Sequence, residues 1–177
     1  MTLKLDGVEK VLAALRDVQN EVVTKVDGEL QAASNDIIRK SLRKAPTNFG
    51  QLKNAKNWQK VENEKLKYTI FCTAYHAPYI EFGTGKKVNV PPELSDVAAQ
   101  IKGRKSRGNF ESFIEAIYVW GTKKKVIKKG DKHHAFNIAR KIYLNGIAPQ
   151  PFLWPSFLEV KPKLISRLQT LLKGIQL

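Results

Sequence analysis

The sequence predicts an α+β fold: a long N-terminal amphipathic helix packed on a small antiparallel β-sheet, with additional helices toward the C-terminus. Three observations predict it. Val8, Val11, Leu12, Leu15, Val18, Val22, Val26, Leu30, Ala33 and Ile37 recur every three or four residues, the period of one helix face. Between Trp58 and Ala74 the period shortens to that of strands, and beyond Leu94 it lengthens again into further helical segments. At 177 residues the chain is expected to form a single domain, 1–177, with a basic inserted region at about 86–132.

Asp6-Gly-Val-Glu9 has the spacing of a capping box, so the first helix is expected to start there and run to about Leu42, with Gly28 as a kink. Such a helix has about 35 residues and is about 50 Å long, more than a compact domain of this size needs, so its far end is expected to pack on a neighbouring subunit. Ala45-Pro46 stops it, because proline disfavours the helical region for the residue before it, and Thr47 to Gly50 reads as a turn. Trp58 to Val61 and Leu66 to Ala74, separated by polar Glu62 to Lys65, form a hairpin or meander that leads into Tyr75 to Gly85. There Tyr79 to Phe82 reads as a strand with Tyr79 and Phe82 packed inward and a tight exit through Gly83-Thr84-Gly85. Pro91 and Pro92 precede a short helix from Leu94 to Ile101, Gly103 to Asn109 is a flexible basic loop, and a second helix spans about Glu111 to Trp120. Gly121 to Gly130 gives a basic turn or β-ribbon, Asp131 caps a helix reaching Leu144, and Asn145-Gly146 stops it. The last helix begins at about Pro155 or Ser156 and reaches Leu172, with Pro162 bending it or marking its first turn.

The charge is one-sided: 31 Lys plus Arg stand against 16 Asp plus Glu, a formal +15, which expects polyanions or an acidic partner surface. Residues 86 to 132 hold 12 bases against 5 acids, so 7 of the 15 net charges lie there. No run approaches the roughly 18 to 20 apolar residues of a membrane span, and the N-terminus lacks the apolar core of a signal peptide, so no membrane partner is expected and the chain should be made in a cytoplasm. The single Cys72 excludes an intrachain disulfide and, between Phe71 and Thr73, reads as a buried small hydrophobe.

Chemistry-bearing patterns are weak. Cys72, His76, His133 and His134 lack paired metal-ligand spacing, since His133 and His134 are adjacent and point to different sides of a helix. Cys72 and His76, four apart on a strand, would sit about 13 Å apart, too far for proton transfer. Gly83-Thr84-Gly85 with Lys86 and Lys87 lacks the spacing of a phosphate loop, and Glu81 has no second acid beside it, which fits a salt-bridge or cap residue. No catalytic residue, metal or cofactor is therefore assigned, and the chain is not expected to be an enzyme. The basic residues Arg104, Lys105, Arg107, Lys123, Lys124, Lys125, Lys128 and Lys129 are candidates for contact with DNA or an acidic partner; any DNA contact should be sequence-independent and salt-sensitive.

Two segments couple aromatic clusters to backbone-fixing residues: Ala77-Pro-Tyr-Ile-Glu-Phe-Gly-Thr-Gly85 and Ala148-Pro-Gln-Pro-Phe-Leu-Trp-Pro155. Together with Ala45-Pro46 and Gly50-Gln-Leu52, and with Ile138-Ala-Arg-Lys-Ile142 and Gly146, their order resembles a family of tail components of long-tailed bacteriophages: minor tail, neck and tail-completion proteins. The resemblance covers nearly the whole chain. Its motif positions fall on Pro46, Gly50, Leu52, Tyr79, Glu81, Phe82, Gly83, Thr84, Gly85, Gly146, Pro151, Phe152 and Pro155. This chain departs from the family in its long lysine-rich middle. The resemblance implies a structural virion subunit at the tail or head-tail interface, assembled in the bacterial cytoplasm into a ring, commonly a hexamer, around the DNA channel. Its implied partners are further copies of itself, other neck or tail proteins and, without sequence preference, phage DNA. From another class comes a monomeric, sequence-independent nucleic-acid-binding protein that uses the lysine-rich region. A toxin or nuclease would need clustered acids or a histidine pair that the sequence does not show.

Overall fold

The computed structural model describes residues 8–47, 50–101 and 109–174; of the side chains of residues 8–14, 100 and 101 nothing is described. The expected Asp6 cap, part of the turn before Gly50, and Arg104, Lys105 and Arg107 lie outside the described residues. The fold is α+β, with the long first helix, one two-stranded antiparallel sheet and further helices toward the C-terminus. The chain divides into two compact units, residues 1–74 with 152–177, and residues 75–151.

The first unit is built from α1 (Val8–Lys44), β1 (Trp58–Glu64), β2 (Lys67–Cys72) and α6 (Leu153–Lys173). α1 runs through Gly28 as one 37-residue helix, about 55 Å long at 1.5 Å per residue. Its partners are α6 and β2. Helices α1 and α6 lie antiparallel: Glu159 near the start of α6 meets Lys40 and Lys44, and Arg167 lies 3.3 Å from Glu29. Ala33, Ile37 and Val160 form the buried centre of this pair, and Ile70, Leu153, Phe157 and Leu164 pack around them. Small residues on both helices, Ser34, Ser41 and Ser156, are buried along it. Pro162 lies inside α6, which excludes its being the first turn. It is exposed, so the carbonyl it leaves without an amide partner can meet water.

The hairpin turns over two residues, Lys65 and Leu66, with Leu66 at φ 63°, and its register runs from Trp58 opposite Cys72 to Glu64 opposite Lys67 with a bulge between Glu62 and Glu64. Strand alternation places Trp58, Ile70 and Tyr68 toward the unit and Gln59, Val61, Thr69 and Phe71 toward solvent. The Tyr68 hydroxyl donates to Asp27 of α1 at 2.5 Å, tying sheet to helix. That bond, followed by one from the Gln31 amide, holds the Asp27 carboxyl below its ordinary value, and it raises the Tyr68 phenol.

Among the described residues, the second unit holds four α-helices. α2 (Ala77–Phe82) stands where a strand was expected. Its buried residues, Ala77, Glu81 and Phe82, follow helical rather than alternating spacing. Pro78 is pre-organised for a first turn and Gly83, at φ 78°, ends the helix; this framing outweighs the β-preference of Tyr79, Ile80 and Phe82. A 3-10 turn at Pro92–Leu94 runs into α3 (Ser95–Ile101), and α4 (Phe110–Lys123) and α5 (Lys132–Asn145) form a helical hairpin. The side-chain oxygen of Asn109 caps α4 through the Ser112 amide, and that of Asp131 caps α5 through the His134 amide. The basic segment between them is a turn, not a β-ribbon. α4 continues to Lys123, and the Val126 and Ile127 amides both donate to the Gly121 carbonyl, at 2.8 and 3.0 Å. Ile127 is buried against Gly121 and pins the turn while its lysine neighbours stay in water.

Candidate functional site: a backbone crossing and two surfaces

The glycine-bearing segments of the second unit, some sixty residues apart in sequence, meet. α2 delivers Gly83-Thr84-Gly85, and α5 ends at Gly146, whose φ of 73° turns the chain out of the helix. The Thr84 amide donates to the Ile147 carbonyl at 2.9 Å, and the Ile147 amide donates back to the Thr84 hydroxyl at 2.9 Å. One step further, the Gln150 amide donates to the Ile80 carbonyl at 2.8 Å, and the Asn89 amide to Phe82 at 2.8 Å. The backbones approach so closely that a Cβ on Gly146 would run into the Thr84 carbonyl, and one on Gly83 would stand 2.8 Å from the Ile147 oxygen. The two segments thus form one joint.

Around this crossing, Phe82 and Glu81 are buried, and the Tyr75 and Tyr79 rings lie 5.8 Å apart. Thr84 is half-buried, while Gly85 and Pro151 are exposed. The remaining motif positions belong to the first unit. Leu52 and Phe152 are almost fully buried, and Trp58 joins them: its indole N–H donates to the Leu52 carbonyl at 3.0 Å, and its ring meets Phe152 edge-on at 5.9 Å. Gly50, at φ 76°, opens the turn that carries Leu52; Pro46 follows the end of α1, and Pro155 sits in the first turn of α6. Trp58 was not among the motif positions, although an aromatic opening a strand was the signal that could have placed it there.

The lysines separate from this scaffold. Lys123 ends α4 and Lys124, Lys125, Lys128 and Lys129 lie on the turn between α4 and α5, all five exposed, with Lys125 at φ 59°. The turn is tied down by a bond from the Gly130 amide to the Tyr118 hydroxyl at 2.8 Å and by Lys132, which lies over the Tyr118 ring and 3.5 Å from Glu115. Sequence alone placed charge here; it did not place the second surface, an aromatic cluster on the same hairpin. Phe110 lies within 6.4 Å of Phe113, 6.1 Å of Phe136 and 5.3 Å of Tyr143, ring centre to ring centre.

The titratable candidates do not gather. Cys72 is half-buried rather than buried, because the last residue of a two-stranded sheet is covered on one face only; burial raises its thiol above the usual range. His76 precedes α2, and burial lowers its imidazole. His133 and His134 are exposed in the first turn of α5. Among the described residues, no three His, Cys, Asp or Glu side chains stand where they could hold a metal ion, and no helix is long and apolar enough to cross a membrane. No protein-family model, no curated protein and no solved structure matches the chain.

Proposed function

We propose that this chain is a structural subunit of a phage or prophage virion, a head-tail joining, tail-completion or minor tail protein that assembles into a ring around the DNA channel. The observation that carries the reading is the crossing of Gly83-Thr84-Gly85 with Gly146-Ile147, which joins two of the segments on which the resemblance rests through backbone hydrogen bonds and close approach. One further feature supports it. α1, at 37 residues, is far longer than the 21-residue α6 against which it packs. In this reading the partners are further copies of the chain and other neck or tail proteins, and the location is the virion.

A second reading has one observation in its favour. Five lysines crowd one pinned, exposed turn, a surface that a monomeric, sequence-independent nucleic-acid-binding protein would use. Light scattering across concentration, at low and moderate salt, with and without duplex DNA, separates the two. A discrete oligomer, about six times 20.0 kDa for a hexamer, is the expected result. A monomer that binds duplex tightly and loses that affinity steeply with salt would replace the ring subunit with the nucleic-acid-binding protein.

A further inference from the structure

We infer that the outer face of α5 is a platform for single-stranded nucleic acid, on which Tyr143, Phe136 and Phe110 stack bases while Arg140 and the lysines of the adjoining turn hold phosphates. The site needs only one copy of the chain, so it goes beyond both readings above. Lys132, Phe136, Arg140 and Tyr143 follow one another at i, i+4, i+8 and i+11 of α5, within about 80° around the helix axis, and all four are exposed. Cation and ring therefore alternate along one line of about 16 Å that starts at the lysine turn. Lys132 is already held by Tyr118 and Glu115, which leaves Arg140, between the two rings, as the phosphate contact of the line. Phe110, the first residue of α4, adds its ring against Phe136 and Tyr143. The buried line of α5 is Ala135 and Ala139, so the rings are not needed to close the hairpin. Tyr143 is 73% exposed, Phe136 39% and Phe110 36%, and a ring as open as Tyr143 has a face to offer a base.

Charge and composition select the ligand. Residues 110 to 145 carry 8 Lys plus Arg against 3 Asp plus Glu, so the hairpin expects an anion, and two such hairpins meeting each other would bring like charges together. Of the 8 bases 7 are lysine. Lysine is depleted where proteins bind proteins, whereas surfaces that bind nucleic acid are far more positive. The balance therefore favours a phosphate polymer over an acidic protein. The rings then decide the form of the polymer. A duplex keeps its base faces stacked on one another and would meet the lysines while leaving the rings idle. A single strand offers unstacked bases, and rings beside cations bind it by stacking and by charge at once, with little regard to sequence.

Fluorescence anisotropy of the full-length chain with labelled oligothymidylate, oligouridylate and a duplex of the same length, over a series of salt concentrations, tests this. At least one of the two single strands should bind more tightly than the duplex, and which one does so tells DNA from RNA. Phe136→Ala and Tyr143→Ala, both at exposed positions, should each weaken single-strand binding by about fivefold or more and leave duplex binding within about twofold. Tyr143→Phe keeps the ring and should keep the affinity. Arg140→Gln leaves the rings in place and should weaken binding while flattening its salt dependence. Single-strand binding that survives removal of both rings overturns the platform and leaves the lysines as a plain charged surface. Equal losses for single strand and duplex overturn it as well, as does a preference for the duplex or no binding of either at low salt. Poly-L-glutamate bound with the same dependence on the rings, while both single strands are ignored, overturns it in favour of an acidic protein.

Discussion

In the unit formed by α1, α6 and the hairpin, side chains close the core: Ala33, Ile37 and Val160 lie between the helices, and Leu52, Trp58 and Phe152 lock the loop, the sheet and the start of α6 together. Residues 75–151 rely much more on the backbone. There the large side chains of the α4–α5 hairpin remain partly in water, and the long-range connection is a crossing of two glycine-bearing segments held by amide bonds. A side-chain core tolerates graded change, because neighbours relax into part of a cavity. A backbone crossing tolerates almost none, since there is no side chain to move aside.

The largest effect is therefore expected at the crossing. Gly146→Val places a side chain on the Thr84 carbonyl in a conformation L residues avoid, and should destabilise residues 75–151 by ~3 kcal/mol or more. Amide hydrogen exchange resolved by segment measures it; loss of protection confined to the first unit would show the crossing to be dispensable. Phe152→Ala comes next, at ~3 kcal/mol, read as loss of protection around Trp58 and the start of α6. Trp58→Phe keeps most of the ring but strands the Leu52 carbonyl, and a fall of about 1 kcal/mol in denaturant stability is expected.

The smallest effect belongs to the exposed clip between Glu159 and the two lysines of α1. Hydrogen bonds from Lys40 and then Lys44 hold Glu159 at about 2, below its ordinary 4.5. A depressed carboxylate adds stability above its unfolded value, and that stability fades as pH falls from about 4.5 through about 2. Glu159→Gln should accordingly lower the thermal midpoint slightly at neutral pH, by an amount that shrinks as pH falls from about 4.5 through about 2, and a difference that persists undiminished in acid would assign the effect to packing rather than charge.

Much of this contrast was legible in the residues. The apolar stripe of α1, the hairpin, the Asp131 cap and the Gly146 stop follow from local periodicity and capping, and the structure holds them close to where the sequence puts them. The element at Tyr79 to Phe82 was misread because aromatic and β-branched residues favour strands, while Pro78 and Gly83 at its ends carried the decisive signal for a short helix. The basic turn was open between ribbon and turn; what decided it was Ile127, whose burial against Gly121 is a tertiary contact that periodicity does not encode. Of the candidate site, the turns at Gly83 to Gly85 and at Gly146 could be expected, but their meeting at Thr84 and Ile147 could not. The aromatic cluster was invisible for the same reason: Phe110, Phe136 and Tyr143 belong to two helices, and only their packing brings the rings together.

Electron micrographs of the concentrated full-length chain, with class averaging, put the proposed role to its most direct test. Closed rings of one copy number are the expected result. Single copies alone at every concentration, in a preparation that binds duplex DNA tightly, would contradict a ring-forming virion subunit.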